Sequence, residues 1–258
     1  MSLRDGAGVS SVLDGSIATI TFSRPPVNAL GRAQIEQIEE RIRELSRQRD
    51  VKLIALSGRG RDFSAGTDIS EHRKEQATQL LKAFHSLIRL LLTIEVPTAA
   101  LVQGRALGGG AELALACDFI FAETTASFGF PEIRLGVFPP AASVLLERRV
   151  GRTKAADLIL CGAAMTAEGA ERRGLINALV NPGDLINALD TMRERLDPFS
   201  ASTLRLAKRA LSLGSSGDPL SALAAVERTY LHDLMRTEDA SEGIAAFLEK
   251  RAPAWKNR

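Results

Sequence analysis

Cysteine, histidine and two of the aromatics are scarce: two Cys, three His, one Trp and one Tyr in 258 residues. Each scarcity removes a class of function. Cys117 and Cys161 share no CxxC spacing and both stand among apolar neighbours, which excludes a disulfide framework, a thiolate zinc site and a redox dithiol. They read as reduced structural thiols of a cytoplasmic protein. His72, His85 and His232 are scattered without an i, i+4 partner, so packing or surface roles are expected for them and no metal site. No apolar run approaches the roughly 18 residues that a membrane span needs. The opening "MSLRDGAGVS" has no apolar signal core, and the expectation is a soluble, unexported chain with no membrane contact. Charge of one sign is lacking too: 33 Lys and Arg against 31 Asp and Glu leave +2, which excludes a nucleic-acid partner and requires any anionic ligand to be met by a local patch. There is no internal repeat, low-complexity tract or long linker.

Apolar residues make up 45% of the chain, enough for a full core without covalent staples. "SVLDGSIATITFSR" alternates apolar and polar residues around Asp14-Gly15, the pattern of a hairpin. Ile35, Ile38, Ile42 and Leu45 recur at three- and four-residue steps, predicting an amphipathic helix from Gly31 to about Gln48. "VKLIALSG" (51–58), "TAALVQG" (98–104) and "DFIFAE" (118–123) read as buried strands, with a long helix between the first two, from about Ser70 to Ile94. Such alternation predicts an α/β core with mainly parallel connections. Beyond about residue 140 helical periodicity covers 141–150, 153–173 and 182–250, broken by one strand at 175–180.

The stretch "GRALGGGAELALACD" (104–118) sets three glycines before an apolar run that contains one carboxylate, Glu112. Desolvating a charge there is costly unless it is paired or used. The glycines match no phosphate loop: the dinucleotide spacing and a following Gly-Lys-Ser/Thr are both missing. A strand–glycine–helix junction instead offers backbone N–H groups that nothing shields, able to hold a developing oxyanion. The loop "GRGRDFSAGTD" (58–68) offers a second such donor; its "DFSAG" is not a nucleophile elbow, because Asp62 stands where that motif needs glycine. Glu132, between apolar residues in "SFGFPEIRLGVFPP" (127–140), is a second carboxylate in an apolar setting. Either glutamate alone could be a capping or loop residue. Together, beside two donor loops, they form a candidate acid/base pair.

In chain order, "SRPPVNAL" (23–30), "FSAGTDI" (63–69), "VQGRALGGGAELALACD" (102–118), "FGFPEIRLG" (128–136) and "EGIAAFLEKRAPAW" (242–255) resemble the crotonase, or enoyl-CoA hydratase/isomerase, superfamily along the whole chain. The resemblance implies a crotonase-like spiral of strand-strand-helix units over residues 1–198, and a C-terminal helical region, 199–258, for trimerisation and coenzyme A contact. It implies an acyl-CoA thioester whose carbonyl oxygen is bound by the N–H groups of Thr67 and Gly109. Glu112 and Glu132 match the two glutamates of the family's hydratases, which add water to a C=C conjugated to the thioester; Glu112 is assigned mainly to water activation and Glu132 mainly to proton delivery. Asn28, Ala29 and Ala65 match the coenzyme A edge, and Phe247 and Lys250 match residues that reach a neighbouring subunit's coenzyme A. A homotrimer or a hexamer of two trimers is implied. No cofactor is expected, since coenzyme A is part of the substrate.

The loop after Glu132 departs from typical hydratases: Pro140 stands where they have glycine and has no N–H to donate to that glutamate. Phe138, Pro139 and Pro140 are expected to form one wall of the acyl pocket. "LGVFPPAAS" (135–143) and the closing 29 residues, "YLHDLMRTEDASEGIAAFLEKRAPAWKNR", resemble one branch, the hydratases of cyclohexa-1,5-diene-1-carbonyl-CoA in anaerobic aromatic degradation. The alternatives are a straight-chain enoyl-CoA hydratase, a CoA-ester hydrolase and a non-catalytic acyl-CoA binding homologue.

Overall fold

A computed structural model describes residues 8–72, 77–215 and 217–258. β1 (Gly8–Asp14) and β2 (Ile17–Ser23) form the expected antiparallel hairpin. Its two-residue turn is Gly15-Ser16, one position later than the Asp14-Gly15 pattern suggested, because Asp14 still pairs with Ile17 and Gly15 takes the positive φ of 58°. α1 (Arg32–Ser46) buries Ile35, Ile38, Ile42 and Leu45, the stripe read from its spacing. β3 (Leu53–Gly58) and β4 (Thr98–Val102) lie where the apolar runs placed them. The helix expected from Ser70 is shorter: a 3-10 turn spans Ile69–His72 and α2 runs Ala77–Thr93, while 73–76 lie outside the described residues.

β5 (Arg105–Leu107) follows β4 at once, then come α3 (Gly109–Leu115), β6 (Phe119–Glu123) and β7 (Ser127–Gly129). After a 3-10 turn at Pro131–Leu135 the chain continues through α4 (Ala142–Val150) and α5 (Arg152–Leu160). The helix expected over 153–173 is interrupted by β8 (Ala164–Thr166) before α6 (Ala167–Glu171), with the Thr166 side chain capping α6. β9 (Ala178–Val180) precedes α7 (Leu185–Leu196), α8 (Ala201–Gly214), α9 (Pro219–Arg228) and α10 (Glu238–Glu249).

Six strands form one sheet in the order β1-β2-β3-β4-β6-β9, parallel except for the opening hairpin. Alternate residues serve opposite faces: Ile54, Leu56, Ala100 and Val102 join the main core with α1, α2 and α3, while Leu53, Ala55, Ala99 and Leu101 pack under Leu185, Leu189 and Met192 of α7. Burial on both faces is why these strands read as unbroken apolar runs.

The second sheet, β5-β7-β8, was not visible in the sequence. Isolated parallel bridges Ser64–Ala106 and Leu30–Thr67 extend it, so that successive short rungs lie side by side: Leu30, residues 64–67, β5, β7 and β8. Each large-sheet strand from β2 to β6 is thus followed by a rung of this second layer and then by a helix or a 3-10 turn, the spiral of strand-strand-helix units expected. Rungs of three residues are too short to carry a period-2 signal. Among the described residues no helix is long and apolar enough to cross a membrane.

Candidate active site

Three consecutive glycines end the third rung, and each yields to a different neighbour. A Cβ at Gly108 would stand 2.5 Å from Oε1 of Glu132; at Gly109, 2.7 Å from the Thr67 methyl; at Gly110, 2.6 Å from the Ser64 carbonyl oxygen. Gly108 also adopts φ 49°, ψ −125°, a backbone that side chains exclude. The triplet therefore lets the start of α3 press against the loop 64–67 on one side and against the second glutamate on the other.

This juxtaposition places the two expected donors together. Leu30 donates to the Gly66 carbonyl (2.8 Å) and accepts from Asp68 N–H (3.0 Å), which leaves Thr67, between them, presenting its backbone edge away from Leu30 and towards α3. The Thr67 nitrogen lies 3.2 Å from where a Gly109 Cβ would be. Gly109 opens α3, where an N–H has no acceptor inside its own helix.

Glu112 sits one turn further on, 3% exposed. Its Oε1 accepts a hydrogen bond from Ala142 N–H at 2.9 Å, at the start of α4. Burial pushes its carboxyl up to about 7; the N–H groups of Ala142 and Ala141 pull back, and the nearby Glu132 charge adds to the rise. Glu132 is half-buried on the 3-10 turn Pro131–Leu135. The two glutamates singled out in the sequence thus lie near enough for the charge of one to act on the other.

The loop after Glu132 serves the first glutamate. Pro139 is buried and Pro140 half-buried as the lead-in to α4, whose N–H groups reach Glu112, whereas Phe138 is 65% exposed. Asn28 turns inward: 3% exposed, with φ 53°, its Nδ2 donates to the Arg59 and Asp62 carbonyls at 2.8 Å and its Oδ1 accepts from Arg24 N–H at 2.9 Å. Its side chain clips the loop carrying Thr67 to the end of β2, leaving the half-buried Ala29 and Ala65 as the exposed part of that edge. Phe247, 82% exposed, and Lys250, with φ 55°, end α10, which packs on α8.

Other residues of the site escaped the sequence reading. Asp62, 2% exposed, receives the Arg105 guanidinium through bonds of 2.9 and 2.7 Å and is held at about 2, chiefly by those bonds, pinning the donor loop to β5. A charged residue in each of two adjoining apolar motifs was the available signal. Phe84 of α2, buried, approaches Gly109, its ring 3.4 Å from the glycine's Cβ direction. Cys117 is buried and its thiol pushed up to about 12, but Cys161 is exposed, contrary to the apolar environment expected for it. His85 is partly buried, and burial lowers its pKa; His232 is exposed, and the His72 side chain lies outside the description. Among the described residues no cluster of three or more His, Cys, Asp or Glu could hold a metal.

The chain matches the family described as enoyl-CoA hydratase/isomerase over residues 13–258. It is 40% identical to the cyclohexa-1,5-dienecarbonyl-CoA hydratase of Thauera aromatica over 95% of both chains, and 39% identical to a probable enoyl-CoA hydratase of Mycobacterium tuberculosis over 95% of this chain and 96% of that one. An enoyl-CoA hydratase of Bacillus anthracis superposes with a TM-score of 0.91 at 29% identity, covering 97% of this chain and 100% of that one. With the glutamate pair, the glycine triplet and the spiral already in place, the chain belongs to the enoyl-CoA hydratase/isomerase family.

Proposed function

We propose that this protein is a hydro-lyase that adds water to the conjugated C=C of an acyl-CoA thioester, and that its acyl group is the cyclic diene of cyclohexa-1,5-diene-1-carbonyl-CoA. The observation that carries the reaction is Glu112: a carboxyl buried in the first turn of α3, held near 7, beside the charge of Glu132 and on the helix whose start meets the loop of Thr67. A group half-protonated near neutrality is suited to taking and giving a proton. As water adds at the carbon β to the thioester, charge moves to the carbonyl oxygen, where the N–H groups of Thr67 and Gly109 oppose it; such donors are each worth about 3 to 4 kcal/mol. Glu112 takes a proton from the water and Glu132 gives one to the α carbon, the two sharing protons as a pair. Water's O–H bond and the C=C π bond break while C–O and C–H bonds form, with no oxidant or reductant required, so the reading needs no cofactor beyond the coenzyme A of the substrate.

The cyclic substrate is supported by the Thauera relative and by the di-proline before α4. Identities of 40% and 39% do not separate cyclic from linear hydratases, so the loop carries that distinction. Proline at 139 and 140 stiffens the approach to Glu112, suiting a flat ring over a flexible chain. Turnover of cyclohexa-1,5-diene-1-carbonyl-CoA and crotonyl-CoA tests it. The cyclic ester is expected to have the higher kcat/KM, about 10²-fold, equivalent to about 2.7 kcal/mol, with Pro140→Gly narrowing the ratio. Faster crotonyl-CoA hydration with a ratio unmoved by Pro140→Gly would leave a straight-chain hydratase; release of free thiol would indicate a hydrolase.

A further inference from the structure

α4 is a nine-residue helix packed between α3 and α5, with Leu145 and Val150 resting partly on the main core. Only Ala142 and Leu146 are buried, and no side chain caps its start. A helix this short is marginal unless something fixes it, yet its first N–H must stay on Glu112. The tie is at the other end. Arg149, on the last turn, extends Nη2 to the Leu115 carbonyl at 3.0 Å, at the end of α3, and to the Cys117 carbonyl just beyond it. α3 and α4 are thus joined twice, by Ala142 to Glu112 near one end of α3 and by Arg149 to Leu115 and Cys117 at the other.

We propose that Arg149 is a positioning residue for the reaction: it holds α4 against the end of α3 so that the Ala142 N–H stays on the Glu112 carboxylate. This rests on Glu112 serving in the hydration chemistry proposed above. The groups facing Glu112 are few. Glu132 is the charge beside it from the 3-10 turn. Arg105 on β5 is engaged by Asp62, and the other charged residues of α4, Glu147, Arg148 and Arg149, lie beyond its first turn, the first two exposed. The Ala142 N–H, together with that of Ala141 just before α4, is therefore the contact that favours the ionised form. Loosening α4 removes it, so the proton is held more tightly and the acid limb of the rate profile moves to higher pH.

The test compares Arg149→Met, Arg149→Lys and a control, Lys208→Met, which removes a buried cation near the end of α3 whose bonds run to Leu91, Val96 and Asp118. The pH profile of kcat is measured with enoyl-CoA esters, and the Glu112 carboxyl is titrated by NMR in 13C-glutamate-labelled protein, assigned with Glu112→Gln. Arg149→Met is expected to raise the acid limb and the titration midpoint by about half to one pH unit, a 3- to 10-fold rate loss on that limb, with KM within about two-fold. Arg149→Lys should recover part of the shift, and Lys208→Met should lower the melting temperature without moving either midpoint. An unmoved midpoint in folded Arg149→Met overturns the proposal, as does an equal shift in Lys208→Met. If Arg149→Met does not fold, the lysine variant decides, and an unshifted midpoint there also overturns it. A wild type inactive on every enoyl-CoA ester would remove the proposed function, while the titration would still judge the link from Arg149 to Glu112.

Discussion

Glu112 is the residue whose environment conflicts most with its charge. Its pKa lies above the ordinary glutamate range in the folded chain, so the native state holds a proton that the unfolded chain has released. Stability therefore falls as pH rises from about 4.5 to about 7, and the cost is fully present above that window. Glu112→Gln, neutral at every pH, should match wild type in urea denaturation at pH 4 and exceed it at pH 8 by up to about 3 kcal/mol. The same substitution, and Glu132→Gln, should each lower the hydration rate at least about 10²-fold with substrate binding nearly intact, as single-turnover and binding measurements would read. Gly108→Ala meets both a forbidden backbone and the Glu132 carboxyl. It should destabilise by about 1 to 3 kcal/mol and depress kcat, measured by thermal melting and by turnover.

Among the elements, α8 determines how the C-terminal helices attach. Lys208, 6% exposed, donates to the Leu91 and Val96 carbonyls at 3.3 and 3.0 Å and pairs with Asp118 at 2.7 Å. Arg205, three residues earlier, donates to the Ser46, Gln48 and Val51 carbonyls at 2.9, 2.7 and 3.1 Å. One helix thereby places two cations at the carbonyl ends of α1 and α2, where the helix dipoles favour positive charge. Lys208→Met leaves Asp118 and two carbonyls without that partner and should cost about 3 kcal/mol, read as a lower urea midpoint. A chain ending before Phe199 loses both ties and should be insoluble or unfolded.

In the whole molecule, apolar side chains remain uncovered on the C-terminal helices: Leu220 and Leu223 on α9 and Phe247 and Leu248 on α10 are 77%, 59%, 82% and 74% exposed. Surfaces of this kind are commonly covered by another chain. Light scattering should give a mass of three or six 27.7 kDa chains; a monomer would contradict the assembly that the family resemblance implies. If Phe247 reaches a neighbour's coenzyme A, Phe247→Ala should raise KM several-fold and leave kcat unchanged, since the adenine end takes no part in the transition state.

Local chemistry made the large elements legible and singled out the two glutamates that the fold brings near one another. The apolar stripe of α1, the doubly buried strands β3, β4 and β6, and carboxylates stranded in apolar stretches all carry signals a few residues long. The second sheet was not legible, because its strands hold three residues each and pair with segments roughly twenty to forty positions away. Neither were the neighbours of the three glycines, the inward turn of Asn28 or the Asp62–Arg105 pair. The source of the hydrogen bond to Glu112 was equally hidden: from the sequence, Pro140 appears as a lost donor to Glu132, while in the fold the residues just after it supply donors to Glu112. Composition and periodicity specify which faces must be buried, but which backbone group meets which side chain depends on contacts between distant segments, and those exist only once the spiral has closed.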